Sequence, residues 1–214
     1  MSGALQSYLL ALPALFSIVN PLAMALTFSQ VTADRGRAEK RDLARRIALY
    51  SAIIMLGALW GGAYILNIFG VSLAALRIGG GLVVASSAWA LLQRPEQTEE
   101  RKQEQASHAT GADVAFYPLT MPFTTGPGTI AVAIAIGSNL PVGGPNAIPF
   151  ALGASAAALT ISGIVLVTYS WADRLVALLG PAQARVVTRL SAFLLLCVGV
   201  QITLNGAAEF LGTL

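Results

Sequence analysis

The 214-residue sequence has little charge: Asp, Glu, Lys and Arg make up 11% of it, against roughly 25% in a typical soluble domain. Hydrophobic residues make up 56%, more than a water-soluble core of this size can bury. The composition therefore excludes an ordinary soluble domain. A lipid bilayer accommodates it, because a helix of about 20 apolar residues spans the hydrocarbon with its backbone hydrogen-bonded internally.

Cysteine and histidine are equally scarce, with one residue of each. Cys197 lies in an apolar run and has no second cysteine to pair with, so we interpret it as a packing residue. His108 lies in a polar stretch without a metal-ligand pattern. The sequence predicts neither a metal site nor a cofactor.

Six apolar segments are long enough to cross a bilayer, and each is predicted to be a transmembrane helix. The fifth segment has two possible ends: it continues through Asp173 and Arg174 to Leu179, or these residues begin a short interfacial segment. The N-terminus lacks the basic region of a cleavable signal, so the first segment is interpreted as a span. The predicted spans are Leu5 to Thr27, Ile47 to Phe69, Val71 to Leu92, Val114 to Gly137, Ile148 to Trp171 and Val186 to Leu211.

Most of the 13 cations lie in the connections between spans. Six occur from Ala33 to Arg46 and three from Gln93 to Asp113. Because Lys and Arg are enriched in cytoplasmic loops, both connections are predicted to be cytoplasmic and both termini external. Cations spread between spans in this way form no single basic face, so the net charge of +3 does not indicate nucleic-acid binding.

The two halves of the chain share features in the same order. Asn20-Pro21 in the first span corresponds to Gly126-Pro127 in the fourth, and Arg77 in the third span corresponds to Arg189 in the sixth. An odd number of spans per repeat inverts the second repeat relative to the first. The predicted fold is an all-α membrane protein whose six transmembrane helices form two inverted three-helix repeats, residues 1–92 and 114–214, joined by a cytoplasmic linker at 93–113.

Proline and glycine interrupt the first and fourth spans, at Asn20-Pro21 and at Gly126-Pro127-Gly128. Proline removes a backbone hydrogen bond, so both helices are predicted to be broken there. Matched breaks in two repeats are typical of a transporter's midplane site, and a half-helix beginning near Gly128 would direct its N–H groups at a carboxylate. The alternative is that these residues only kink and pack the helices, since Pro and Gly are common in transmembrane helices.

Residues at the two breaks, with polar residues of the third and sixth spans, are the candidate substrate-binding set. Arg77 lies about 9 Å into its span and is expected to have a partner, whereas Arg189 is close enough to the boundary to be an anchor. Gln201 and Asn205, one turn apart, either bond a facing helix or line the pathway. The candidates are Asn20, Pro21, Thr124, Thr125, Gly126, Pro127, Gly128, Thr129, Arg77, Arg189 and Gln201.

Two further features of the third and sixth spans have structural interpretations. The small residues Gly79-Gly80-Gly81 favour close contact with another helix. Glu209 lies near the outer end of its span and is predicted to be interfacial. The predicted spans place no Asp or Glu convincingly at mid-membrane depth, and this weakens the hypothesis of a proton relay.

Several of these motifs resemble the MarC family of bacterial inner-membrane proteins, which overlaps the neutral amino acid transporter group. The resemblance covers nearly the whole chain, and its most specific part runs from Tyr117 to Ile130. It implies six spans in two inverted halves and, from characterised relatives, export of small neutral amino acids. Family members often follow Asn/Asp-Pro with Gly, Asn and Pro, where this chain has the helix-forming residues Leu22 to Leu26. The first break is therefore either a kink or an unwound segment.

The leading functional hypothesis is a secondary transporter, not an enzyme, that exports or exchanges small zwitterionic solutes, chiefly neutral amino acids, by alternating access. H⁺ or Na⁺ is the coupling ion considered, and no oligomeric state is predicted. The alternative is a non-transport membrane protein: an intramembrane enzyme, a lipid-handling protein or an assembly subunit. The predicted spans show no nucleophile with a base, no paired carboxylates and no metal ligands, so the enzyme alternative has no support from the sequence.

Overall fold

The computed structural model describes residues 3–93, 114–138 and 147–212, and within these ranges the chain is helical without strands. Residues 94–113, which include His108 and nearly all of the predicted linker, lie outside the described ranges, as do residues 139–146. The helical segments are α1 (Gly3–Val19), α2 (Pro21–Val31), α3 (Arg37–Ile68), α4 (Leu73–Gln93), the irregular segment α5 (Ala115–Thr124), α6 (Pro127–Ser138), α7 (Ala147–Ser170) and α8 (Ala172–Leu211).

The helices provide up to six membrane crossings. Five stretches are individually long and apolar enough: Gly3–Val31, Arg37–Ile68, Leu73–Ala90, Ala147–Ser170 and Ala192–Leu211. The sixth is the pair α5 and α6, which meet at a bend of 66°. These findings confirm the all-α membrane architecture with interrupted first and fourth spans. Trp171 separates α7 from α8, so Asp173 and Arg174 begin α8 rather than extending the fifth span.

Three helix pairs make the main contacts: α4 lies along α8, α1 along α7, and α3 against α6. This pairing is compatible with a pseudo-two-fold relation that exchanges the first span with the fourth and the second with the fifth. Such an exchange maps the α1–α7 contact onto the α6–α3 contact, and it leaves the third span facing the sixth. The inverted relation and the division into repeats stay predictions. Fully buried apolar side chains, among them Leu15, Ile47, Met55 and Val165, fill the centre of the bundle.

Glycine allows α4 and α8 to touch along their backbones. A Cβ added to Gly199 would lie 2.6 Å from Ala85 N, and a Cβ added to Gly81 would lie 2.6 Å from Gly199 O. Both distances are shorter than any normal Cβ contact, so a larger residue would separate the helices. The predicted packing role of the small third-span residues is confirmed at Gly81, whereas Gly79 faces open space.

The α4–α8 contact can be tested with Gly199→Ala. We expect a lower melting temperature, followed by circular dichroism in detergent, because overpacking typically costs about 1–3 kcal/mol. Gly163→Ala is the matched control, since a Cβ at Gly163 on α7 meets nothing within 4 Å. Equal melting temperatures for the two variants would contradict the packing role of Gly199.

Candidate functional site between two broken helices

The break in the first span is one residue wide. Asn20 adopts a left-handed conformation, with φ 45° and ψ 60°, between α1 and α2. Asn is among the residues that tolerate this conformation best, and Pro21 at the first position of α2 needs no acceptor for an N–H. Asn20 takes part in hydrogen bonds on both sides of the break: its N–H donates to Phe16 O at 2.9 Å, and its carbonyl accepts from Met24 N–H at 3.1 Å. The first span therefore has a local break and not an unwound segment.

The fourth span is irregular over a longer stretch. Its sequence repeats a four-residue unit, Pro118-Leu119-Thr120-Met121 followed by Pro122-Phe123-Thr124-Thr125. Tyr117 and Met121, the residues before the two prolines, have an extended backbone, which the steric bulk of a following proline ring favours. The Tyr117-Pro118 and Met121-Pro122 peptide bonds are both cis. An α-helix cannot continue through two residues with an extended backbone.

Threonine hydroxyls compensate for the disrupted backbone hydrogen bonds. Thr120 Oγ1 donates to Ala115 O at 2.6 Å, and Thr124 Oγ1 donates to Leu119 O at 2.7 Å, which is the same five-residue step. The Thr124 hydroxyl also bonds the Tyr169 hydroxyl of α7 at 2.8 Å. These hydroxyls thus satisfy two carbonyls of the irregular segment, and Thr124 fixes the segment to α7.

A cavity of about 310 Å³ lies beside the second break, and we call it the broken-helix cavity. Its walls include apolar side chains of the first, third and sixth spans, such as Ile18, Val84 and Leu195. The fourth span contributes five of the predicted candidates. None of the described residues that line the cavity is charged. The five are Thr124, Gly126, Pro127, Gly128 and Thr129.

Thr129 supplies a polar group available to a ligand in this cavity. Only 2% of the residue is exposed, and its hydroxyl has no hydrogen-bond partner among the described residues. The first hydrogen bond at the start of α6 runs from Ile130 N–H to Gly126 O. The N–H groups of Gly128 and Thr129 precede this bond, so they have no backbone carbonyl partner within the helix. These donors lie at the positive end of the helix dipole, where an anion is stabilised.

A second cavity, of about 550 Å³, lies between the same spans and contains Arg77; we call it the Arg77 cavity. Its other polar residues are Ser17, Gln201 and Asn205. Gln201 Nε2 donates to Asn205 Oδ1 at 2.9 Å, so the two side chains bond each other and not a facing helix. Both line the Arg77 cavity.

Arg77 has the partner that its depth in the membrane predicted. Its Nη1 donates to Glu209 Oε2 on α8. The sequence reasoning treated Glu209 as an interfacial residue and missed this pair, which is separated by 132 positions. The sequence does contain a signal for this pair: the two opposite charges lie near the same end of the third and sixth spans, which the predicted two-fold relation allows to face each other.

The remaining candidates border neither cavity. Asn20 is half-buried and Pro21 is buried, beside the wall residues Ile18 and Val19. Thr125 is fully buried, and its hydroxyl donates to Ser51 Oγ on α3 at 2.8 Å. Arg189 is exposed on α8, three residues before the apolar stretch that begins at Ala192. A role in substrate binding stays a prediction for each of them.

Outside the spans, one carboxylate joins three helices at the end of the bundle that carries Arg35 to Arg46, the basic end. Asp173 on α8 accepts hydrogen bonds from Ser29 Oγ on α2 at 2.6 Å and from Lys40 Nζ on α3 at 3.0 Å. Partial burial alone would raise the pKa of Asp173. The hydrogen bonds from Ser29 and Lys40, together with the charges of Lys40 and Arg37, outweigh burial and hold this pKa below its ordinary value of 3.8.

A helical bundle of this hydropathy, with up to six membrane crossings of which two are broken, defines a multi-pass membrane protein. The model of the MarC family integral membrane proteins matches residues 5–211. The chain belongs to the MarC family, and it is a multi-pass inner-membrane protein.

Curated relatives cover almost the whole chain. The inner membrane protein MarC of Salmonella typhimurium and that of Citrobacter koseri are each 32% identical to it over 211 residues, and the Escherichia coli protein of the same name is 30% identical over 214 residues. Each alignment covers 95% of this chain and 95% of the relative. No solved structure matches the chain.

The Asp173 contacts predict a pH-dependent stability. Because folding lowers the pKa of this carboxyl, its stabilising effect is present above pH 3.8 and is lost as the pH falls through the folded-state pKa. We therefore expect Asp173→Asn to lower the melting temperature at pH 7, and the difference from the unsubstituted protein to shrink below pH 3.8.

Asp42→Asn is the matched control for this prediction. Asp42 forms an exposed pair with Arg46 one turn away on α3, a type of pair that contributes little to stability. Thermal unfolding of both variants between neutral and acidic pH measures the effect. A melting-temperature difference for Asp173→Asn that does not change with pH would contradict the assignment.

Proposed function

We propose that this protein is a secondary transporter that moves small neutral amino acids across the inner membrane by alternating access. The observation that carries the proposal is the start of α6: unpartnered donors of Gly128 and Thr129 border a cavity next to a broken span. Irregular backbone within a membrane-spanning region is tolerated where it lines such a cavity, and discontinuous helices form the binding sites of many transporters.

The chemistry of the broken-helix cavity suits a zwitterion. A carboxylate would accept hydrogen bonds from the N–H groups of Gly128 and Thr129 and from the Thr129 hydroxyl. An ammonium group would donate to backbone oxygens of the irregular segment. One of them is Phe123 O, which in a regular helix would accept from the N–H of residue 127, but Pro127 has no N–H. Since the described walls carry no charge, a solute with no net charge is favoured over an ion, whose transfer from water would be uncompensated.

The size of the cavity favours a small solute. Its volume of about 310 Å³ lies at the low end of the range for small-molecule sites, roughly 300–1,000 Å³. Apolar walls that include Ile18, Val84 and Leu195 match a short aliphatic side chain. Neutral amino acids of modest size combine the two properties, and H⁺ or Na⁺ coupling is part of the proposal.

The alternative of an intramembrane enzyme has less support. An enzyme of this kind needs a nucleophile with an adjacent base, paired carboxylates or metal ligands. The cavity hydroxyls of Thr124 and Thr129 have no His, Lys, Asp or Glu beside them among the described lining residues. The Thr129 hydroxyl can instead hold a solute without reacting with it.

A thermal-shift experiment tests the proposed function. We expect alanine or valine to raise the melting temperature of the purified protein, because a ligand that binds only the folded state stabilises it, while lysine and glutamate have little effect. Repeating the measurement with and without sodium, and at several pH values, identifies the coupling ion. No shift with any neutral amino acid under these conditions would contradict the proposal.

The role of the Thr129 hydroxyl is tested by Thr129→Val, which keeps the shape of the side chain. A hydrogen bond to a charged group contributes about 1.5–3 kcal/mol, so we expect the amino acid to bind roughly 10- to 100-fold more weakly. Thr168→Val is the matched control, because Thr168 bonds Ile164 O on α7 and lines neither cavity. Equal dissociation constants for the two variants would remove Thr129 from the site.

A further inference from the structure

The broken-helix cavity and the Arg77 cavity follow one another along the bundle. The first, third, fourth and sixth spans line both of them. In the first span, residues up to Ser17 line the Arg77 cavity and residues from Ile18 onward line the broken-helix cavity. In the fourth span the change falls between Thr129 and Ala131. The broken-helix cavity therefore lies nearer the basic end, and the Arg77 cavity lies nearer the opposite end.

A close contact lies at the level where one cavity gives way to the other. A Cβ added to Gly128 would collide with Cγ2 of Val84 and would lie 3.4 Å from Cδ1 of Ile18. Glycine at this position lets α6 approach α4 and α1 closely. We call the contact between Gly128, Val84 and Ile18 the closure.

The Arg77 cavity contains polar groups that the fold leaves available. The guanidinium of Arg77 uses Nη1 for Glu209, and its remaining donors have no partner among the described residues. The bond between Gln201 and Asn205 leaves the amide N–H groups of Asn205 and the side-chain oxygen of Gln201 available. Ionisable and amide groups within a membrane span are costly to keep there, so their presence favours a functional role.

We propose that the Arg77 cavity is a second binding site on the same path, which takes the carboxylate of a small solute on Arg77 and Asn205, with the closure separating it from the broken-helix cavity. The identity of the solute rests on the proposed function. The position of the closure rests only on the packing of Gly128, Val84 and Ile18 and is independent of that function.

The two helix breaks lie where opening of the closure requires movement. Asn20 is two residues from Ile18, and Gly126 is two residues from Gly128. Each half-helix can tilt at its break while its own hydrogen bonds stay intact. Separation of Ile18 and Gly128 from Val84 would then connect the two cavities.

Cysteine accessibility tests the closure without any assumption about the solute. In a Cys197→Ser background, Ser17→Cys places a thiol at the Arg77 cavity and Thr27→Cys places one at the broken-helix cavity. With a membrane-impermeant maleimide added to sealed vesicles of either orientation, we expect the two thiols to be labelled from opposite faces. Labelling of both from the same face, or of neither, would overturn the proposal.

Protection of the Ser17→Cys thiol tests the second binding site. We expect L-alanine, and propionate as a probe with a carboxylate alone, to slow its labelling. Combining Gln201→Ala with Asn205→Ala should raise the protecting concentration about 10-fold, the loss that corresponds to about 1.4 kcal/mol. Asn67→Ala is the control, because Asn67 is exposed on α3 and lines neither cavity.

The outcomes separate this proposal from the proposed function. Protection by propionate but not by alanine would support a carboxylate site while contradicting amino acid transport. Protection by neither probe, or protection unchanged by the double substitution, would overturn the Arg77 site. In either of these last cases the labelling of opposite faces would still report on the closure.

Discussion

Inside a bilayer every backbone N–H and C=O group needs a partner within the protein, and the fourth span is where this constraint is hardest to satisfy. Pro118 and Pro122 each remove a donor, and the residues before them leave the helical conformation. The hydroxyls of Thr120 and Thr124 bond carbonyls that a regular helix would have bonded to N–H groups. This repair allows a half-helix to begin within the span at Pro127, and the candidate site depends on that half-helix.

The two breaks meet the same constraint by different means. In the first span one asparagine takes a left-handed conformation, and the backbone hydrogen bonds continue on both sides of it. In the fourth span, the hydroxyls of Thr120 and Thr124 bond two carbonyls within an irregular segment of ten residues. Each half-helix has N–H groups that precede its first hydrogen bond. Those at the start of α6 belong to Gly128 and Thr129, which line the cavity, whereas Leu22 and Ala23 at the start of α2 do not line it. The polar features of the broken-helix cavity accordingly come mainly from the fourth span.

Much of this architecture is predictable from the sequence, because membrane spans and helix breaks depend on local composition. Hydropathy places six spans, and Pro and Gly place both breaks within a residue or two. Side-chain partners depend on the packing of distant segments, which no local pattern encodes. The ion pair of Arg77 with Glu209 and the bond of Thr124 to Tyr169 are examples. Thr125 shows the converse: its neighbours in sequence line the cavity, but its own hydroxyl points to Ser51.

The uncharged lining of the broken-helix cavity has an electrical consequence. A charge that crosses the full membrane potential gains or loses about 2.3 kcal/mol per 100 mV. Reorientation of a site whose described walls carry no charged side chain moves little protein charge through that field, and a zwitterion adds none. On the proposed function, the movement of the solute itself through this cavity is therefore nearly independent of membrane voltage, and any voltage dependence of transport reports the charge of a coupling ion.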